Sequence, residues 1–385
     1  MPDKVALLLQ KKRTRREFLA GAGLALGGAG MSGILSACGG SGGTGGAGGS
    51  GDTLKVAFVY IGPPGDAGWT KRHDDGRKDL EKALGNKVET TFVENVPEGA
   101  TAQRVFEDLA RKGNKLIFGT SFGYMDSMVA AAKKYPDTIF EHATGFKTAK
   151  NLGTYAGAAE QATYLSGMAA GVAAKNNKIG YLMPFPIPEV IRGMNAHHLG
   201  ARFMNPDVTT QLVWTSTWYG PDTEKQAAES LVNAGVDVLG MQQDSPATGQ
   251  VAEEEGVKWT GFNDDMERFA PNAWLTGLKW NWGPYYINTA QQVLDGKWKS
   301  DEYYGTMADG IVGLAPYGKS VSEETRKRIE EKQQAIIDGE FEPFTGPIKD
   351  QEGKVRIPEG ETATLEELLS MDYLVEGVIG KVPKG

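Results

Sequence analysis

Short β-branched and aromatic runs alternate along the chain with stretches of helical periodicity, and few residues separate the two. Lys55–Tyr60 (KVAFVY) reads as a compact strand, followed by a loop, Ile61–Gly68, that carries Gly62-Pro63-Pro64-Gly65. Trp69–Leu84 is predicted to be a helix with Leu80, Ala83 and Leu84 on its apolar face. Val88–Val93 is a second strand. Thr101 is placed to cap a helix whose face is Val105, Phe106 and Leu109 and which Gly113 closes. Leu116–Phe118 is a buried strand that breaks at Gly119. A polar, aromatic loop follows it, and Asp126-Ser127 opens a helix over Met128–Lys134 that Pro136 stops. Thr138–His142 and Leu152–Tyr155 are the next strands.

The same order then restarts. Lys178–Met183 mirrors Lys55–Tyr60, and Pro186–Met204 holds the following helix. Val208–Trp214 mirrors Val88–Val93, and a helix over Asp222–Gly235, faced by Ala227, Ala228, Leu231 and Val232, mirrors Thr101–Gly113. Asp237–Met241 mirrors Leu116–Phe118, and Val257–Gly261 mirrors Thr138–His142. One long sheet is the alternative architecture. The internal match instead predicts an α/β protein of two doubly wound, Rossmann-like lobes of parallel sheet, joined by a hinge of crossover strands. Beyond Trp274–Leu278 the chain is expected to cross back, with a helix started by Pro284, a strand at Ile311–Leu314, a charged helix at Ser322–Gly339, a hairpin within Phe344–Ile357 and a final helix with a Thr364/Glu367 capping box. Crossovers are expected near Ala158–Glu160, Lys279–Gly283 and Val312–Tyr317. They give a first lobe of residues 53–158 plus 283–315 and a second of 159–282 plus 316–385.

The first residues have a different character. Lys11, Lys12, Arg13, Arg15 and Arg16 precede a mildly apolar Gly- and Ala-rich run, and Thr14–Leu19 (TRREFL) resembles a twin-arginine export signal. The run ends in Leu35-Ser36-Ala37-Cys38, which is similar to a bacterial lipobox. That resemblance implies cleavage after residue 37 and a lipid on Cys38. Cys38 is the one cysteine of the chain, so the body has no disulfide and no thiol chemistry. Residues 38–52 form a Gly-rich tether spanning roughly 20 Å on average. The expected place of work is therefore the outer face of the cytoplasmic membrane or the periplasm, reached through a lipid anchor.

Charge narrows the partners. The 385-residue chain carries a formal net charge of −8, and the basic leader contributes six Lys/Arg against two Asp/Glu, so the body is more acidic still. Phosphate backbones need basic neutralisation, which argues against nucleic acid. Metal- and thiol-enzyme signatures are missing: the sequence has no HExxH or CxxC pattern. Neither an enzyme nor a cofactor is expected, and a monomer is. Asp74-Asp75 and the Glu253–Glu255 run read as solvated helix faces, whereas Asp264-Asp265 closes a strand at the expected cleft.

In open α/β sheets, ligands sit beyond the carboxyl ends of the strands. The loops there offer Asp66, Trp69, Ser121, Phe122 and Asp126 from one lobe. From the other come Phe185, Trp214, Trp218, Asp244, Asn263 and Asp265, and the second crossover adds Trp280, Asn281 and Trp282. Aromatic faces sandwich flat rings, and carboxylates and amides satisfy N–H donors or ribose hydroxyls. A sugar also tolerates such walls. Arg192 and Lys279 are the nearby cations, and they form no clamp for a carboxylate or phosphate.

The lipobox, KVAFVY, GTSFGYMD, FEHATGF, NWGPYY and GLAPYG together resemble the basic membrane protein family, over essentially all of residues 54–380. These are type I periplasmic binding proteins of ABC importers, related to purine-nucleoside-binding lipoproteins. The resemblance implies a stacking role for Trp69, an opposing ring from Phe185, and ligand contacts at Phe122, Asp126, Asn263 and Asp265. It also implies a membrane permease as partner. Nucleoside-binding members carry Asn after the first aromatic and Asp at the start of the acidic loop, where this chain has Thr70 and Asn263. The Trp-rich segment Trp214–Pro221 is closer to the branch for which a free purine base such as adenine is expected. A sensor built on the same clamp and a binding protein for a sugar are the alternatives.

Overall fold

The computed structural model describes residues 53–383. The expected signal (1–37), the Cys38 lipidation site and the linker (38–52) lie outside the described residues. The first half builds β1 (Leu54–Val59), β2 (Val88–Val93), β3 (Leu116–Gly119), β4 (Ile139–Ala143) and β5 (Leu152–Gly157). The second half builds β6 (Lys178–Met183), β7 (Thr209–Trp214), β8 (Val238–Met241), β9 (Lys258–Gly261) and β10 (Trp274–Trp280). Their spatial orders, β5-β4-β3-β1-β2 and β10-β9-β8-β6-β7, are the same. The strands within each set pair in parallel, so each connection has to cross back to the start of the next strand. The repeat read from the sequence is thus a repeat of topology.

Both sheets are wound on two faces. Along β1, Val56, Phe58 and Tyr60 enter one apolar cluster and Ala57 and Val59 another, since successive side chains of a strand point to opposite faces. Helices α1 (Trp69–Leu84), α2 (Ala100–Arg111) and α3 (Met125–Lys134) serve the first sheet. Helices α4 (Ala159–Ala173), α5 (Pro188–Met204), α6 (Pro221–Asn233) and α7 (Ala247–Glu255) serve the second. Asp74, expected in solvent on α1, is buried. Lys78 and the Arg77 guanidinium, each 2.7 Å away, hold its carboxyl below the ordinary range against the opposing effect of burial.

Three elements escaped the periodicity reading. Helix α4 is buried on nearly every side, so it shows no apolar stripe. It packs against α5 through backbone contact. A Cβ on Gly167 would lie 2.0 Å from the His197 carbonyl oxygen, and one on Gly200 would lie 1.9 Å from that of Tyr164. The other two are the edge strands β11 (Glu302–Gly305), beside β5, and β15 (Val378–Ile379), beside β7. They are too short to carry a pattern.

The chain passes between the sheets three times, after β5, after β10 and after β11. The third passage comes earlier than expected. β12 (Val312–Leu314), assigned from the sequence to the first lobe, pairs antiparallel with β10 in the second sheet. Asn281 ties two passages together: its backbone N–H donates to the Ile311 carbonyl (2.8 Å) and its side-chain amide to that of Gly310 (3.0 Å). The returning chain forms α8 (Gly283–Leu294) against α1, then α9 (Glu323–Ile337), a small hairpin of β13 (Ile348–Lys349) and β14 (Val355–Ile357), and α10 (Leu365–Leu369), opened by the expected Thr364/Glu367 capping box.

Candidate functional site

The carboxyl ends of the two sheets face each other across a cleft with about 450 Å³ of space between its walls, part of it open to solvent. The first lobe contributes Ile61, Trp69, Ser121, Phe122 and Thr144, and the second Glu189, Val190, Trp218, Gln242, Asp244, Phe262 and Asn263. Six of the residues singled out in the sequence are therefore brought together: Trp69, Ser121, Phe122, Trp218, Asp244 and Asn263.

The others are not on this wall, and each has a physical reason. Asp66 accepts from the backbone N–H groups of Gly68 (2.8 Å), Thr70 (2.8 Å) and Lys71 (3.0 Å), which satisfies the free donors at the start of α1. Asp126 stands on the first turn of α3 with its side chain 87% exposed, paired to Lys147 at 2.6 Å. Asp265 caps the short turn at Glu267 (3.1 Å), and Asn281 is occupied in the crossover. Trp282 is fully buried, stacked between His73 and Trp280. Phe185 sits behind the wall, its ring 5.1 Å from that of Trp218.

Glu189, Gln242, Thr144, Ile61, Val190 and Phe262 were missed. Gln242 and Phe262 are sequence neighbours of residues that were named. Glu189 has no comparable signal, because it lies six residues past the end of β6, on the first turn of α5.

Most polar groups of the wall are already committed to the protein. Ser121 Oγ donates to Glu98 (2.6 Å), Thr144 Oγ1 to the Ala143 carbonyl (2.7 Å), and Gln242 Nε2 to that of Val190 (2.7 Å). Asn263, in the left-handed region at φ 74°, donates from Nδ2 to Asp244 (2.8 Å) and accepts the Trp280 indole N–H (2.9 Å). Two carboxyls keep acceptor capacity. Burial raises Asp244 well above the ordinary carboxylate range, with Asp66 and Glu224 adding to the effect and the Asn263 hydrogen bond opposing it. Burial likewise lifts Glu189 to about 7, partly offset by Arg192.

The lobes are in contact. Lys71 and Arg72, on α1, reach the second lobe: Lys71 Nζ lies 2.8 Å from Asp264, and Arg72 donates to the Trp280 carbonyl (2.7 Å). Gly68 touches Asp244 so closely that a Cβ there would be 2.8 Å from its backbone oxygen. Because that neighbour belongs to the opposite lobe, opening the cleft relieves the clash. Gly68→Ala is expected to disfavour closure by about 1–2 kcal/mol, in the range of over-packing costs. Ligand affinity measured by calorimetry should fall roughly tenfold while the melting temperature of the free protein stays near wild type; equal affinity would show that closure does not need this contact.

Two doubly wound lobes, three crossovers and a cleft lined from both sides are the fold of the type I periplasmic binding class. The solute-binding protein from Aeropyrum pernix K1 has the same fold, with a TM-score of 0.65 at 18% identity over 82% of this chain and 97% of that one. The profile of the Bmp family, described as ABC transporter substrate-binding protein, PnrA-like, matches residues 53–343, and the chain belongs to that family. It is 47% identical over 333 residues to a purine-binding protein of Brucella abortus, covering 86% of this chain and 95% of that protein. A Haloferax volcanii protein that carries the name of an ABC transporter glucose-binding protein is 38% identical over 334 residues, 86% of this chain and 82% of its own length. The molecule is thus a substrate-binding component of an ABC transporter, of an extracytoplasmic family whose members bind solutes. Among the described residues, no helix is long and apolar enough to cross a membrane.

Proposed function

We propose that the protein captures a purine nucleobase, adenine-like, or its nucleoside between the lobes and delivers it to a membrane permease, tethered meanwhile by a lipid on Cys38. In this reading it binds without catalysing and works as a monomer. The observation that carries the ligand class is the pairing of aromatic walls with acceptor capacity. Trp69, Phe122, Trp218 and Phe262 offer ring faces, the carboxyls of Glu189 and Asp244 offer acceptor atoms beyond the one hydrogen bond that Asp244 takes from Asn263, and no Lys or Arg is among the lining residues. A flat ring bearing N–H donors and no negative charge suits such a site, whereas a nucleotide or an α-amino acid would leave its anionic group unpaired. The similarity to the Brucella abortus purine-binding protein supports the same choice.

The Haloferax volcanii relative favours a second reading, a hexose, whose hydroxyls would serve as the donors. A thermal-shift series on ligand-free protein separates the two. Adenine or adenosine is expected to raise the melting temperature in a concentration-dependent way while glucose leaves it unmoved, since only a ligand of the folded state stabilises it. A shift with glucose and none with purines would replace the purine reading by the hexose one.

A further inference from the structure

We infer that Glu189 and Asp244 act as a pair that selects the ligand by its N–H donors, each carboxyl taking one. The inference rests on the purine reading and sharpens it to a ring with two separate donor groups, as in an amino-substituted purine.

Hydroxyl and amide groups of the wall donate inward to Glu98, Ala143, Val190 and Asp244. Asp244 receives a hydrogen bond on Oδ1. Glu189 receives no hydrogen bond among the described residues, although it lines the cleft half-buried. Its natural partner, Arg192, stands one turn further along α5 and is itself buried. The guanidinium is committed elsewhere, with Nε donating to Glu160 (3.0 Å) and Nη1 to the Leu368 carbonyl (2.8 Å). Arg192 thus attracts Glu189 without neutralising it by contact. A half-buried carboxyl left without a donor has acceptor atoms that a ligand N–H can satisfy, so a ring that supplies one there is favoured over a ring that does not.

The division of labour between lobes follows. Glu189 and Asp244 belong to the second lobe, and Trp69 and Phe122 to the first. The ligand is read by one lobe and covered by the other as the cleft closes.

Calorimetric titration of the mature protein with adenine and with purine, the same ring without the amino group, tests the pair. Wild type should bind adenine at least tenfold more tightly than purine. Glu189→Gln and Asp244→Asn should each weaken adenine at least tenfold, and with purine one of the two substitutions should lose its effect, because one donor is gone. Thermal melts check that both variants fold, and Glu189→Ala or Asp244→Ser serves in place of the variant at the same position that does not. Adenine binding that ignores either substitution, or an equal weakening of adenine and purine by both, overturns the inference and leaves the purine reading standing. Failure of wild type to bind either ring overturns the purine reading and the pair with it.

Discussion

Replacing Glu160 by alanine is expected to destabilise the protein by about 3–5 kcal/mol, the range for removing one partner of a buried ion pair. Glu160 is 3% exposed and Arg192 2%. The Glu160 carboxylate accepts from Arg192 Nε at 3.0 Å and from the Tyr304 hydroxyl at 2.9 Å on both oxygens. A guanidinium cannot shed its proton to escape burial, so the truncated protein would hold a buried charge without the carboxylate that contacts it. The position adds to the effect. Glu160 follows the first passage between the sheets, Tyr304 lies on β11 of the first sheet, and Arg192 lies on α5 beside the second. The three fasten the crossover region from both sides. Urea unfolding reads the loss directly. Removing the charge as well, in the Glu160→Ala/Arg192→Met double variant, should return part of it, since two buried charges with imperfect partners are often no better than apolar side chains of similar volume. A Glu160→Ala loss below 1 kcal/mol would mean that water reaches this pair.

Trp69→Ala is expected to weaken purine binding by about 2–3 kcal/mol, the upper part of the range for truncating an aromatic that stacks on a base. Its indole N–H donates to the Thr120 carbonyl at 2.6 Å, which fixes the ring at the mouth of the first sheet. It also stands edge-on to Trp280 and Trp282, with ring centres 6.0 Å away in each case. The ring is therefore held in place before a ligand arrives, and little ordering is needed on binding. Trp69→Phe keeps a face but loses the hydrogen bond, so it should recover most of the affinity. Calorimetry on the three proteins distinguishes a stacking wall from a structural tryptophan: the latter would lower the melting temperature and leave the dissociation constant of the folded fraction alone.

The parts of the fold that the sequence displays are those whose burial is set within one element. KVAFVY and KIGYLM are strands because their side chains meet neighbours above and below one sheet, and β6 spans the same six residues, Lys178–Met183, that the pattern marks. The amphipathic helices α2 and α6 show their covered face as a stripe, whereas α1 covers Thr70, His73, Asp74 and Arg77 beside Leu80 and leaves Ala83, read as part of its apolar face, exposed. Helix α4 shows none, because other elements cover it all round.

The cleft was half legible. Strand-end loops are identifiable from sequence, and Trp69, Phe122, Trp218, Asp244 and Asn263 follow from them. The direction of a side chain one turn into the next helix does not, and that is where Asp126 and Glu189 differ. Both sit on a first helical turn, but α3 points Asp126 outward to Lys147, while α5 carries Glu189 into the cavity.

By itself, then, the sequence determines the alternation, the internal repeat and the strand ends, because these depend on local periodicity and on turn-forming residues. Which carboxyls meet the ligand space, which become helix caps, and how Lys71 and Arg72 reach Asp264 and Trp280 are settled by the tertiary structure alone. Each of those contacts joins residues far apart in the chain, and the three passages between the sheets fix the angles at which they meet.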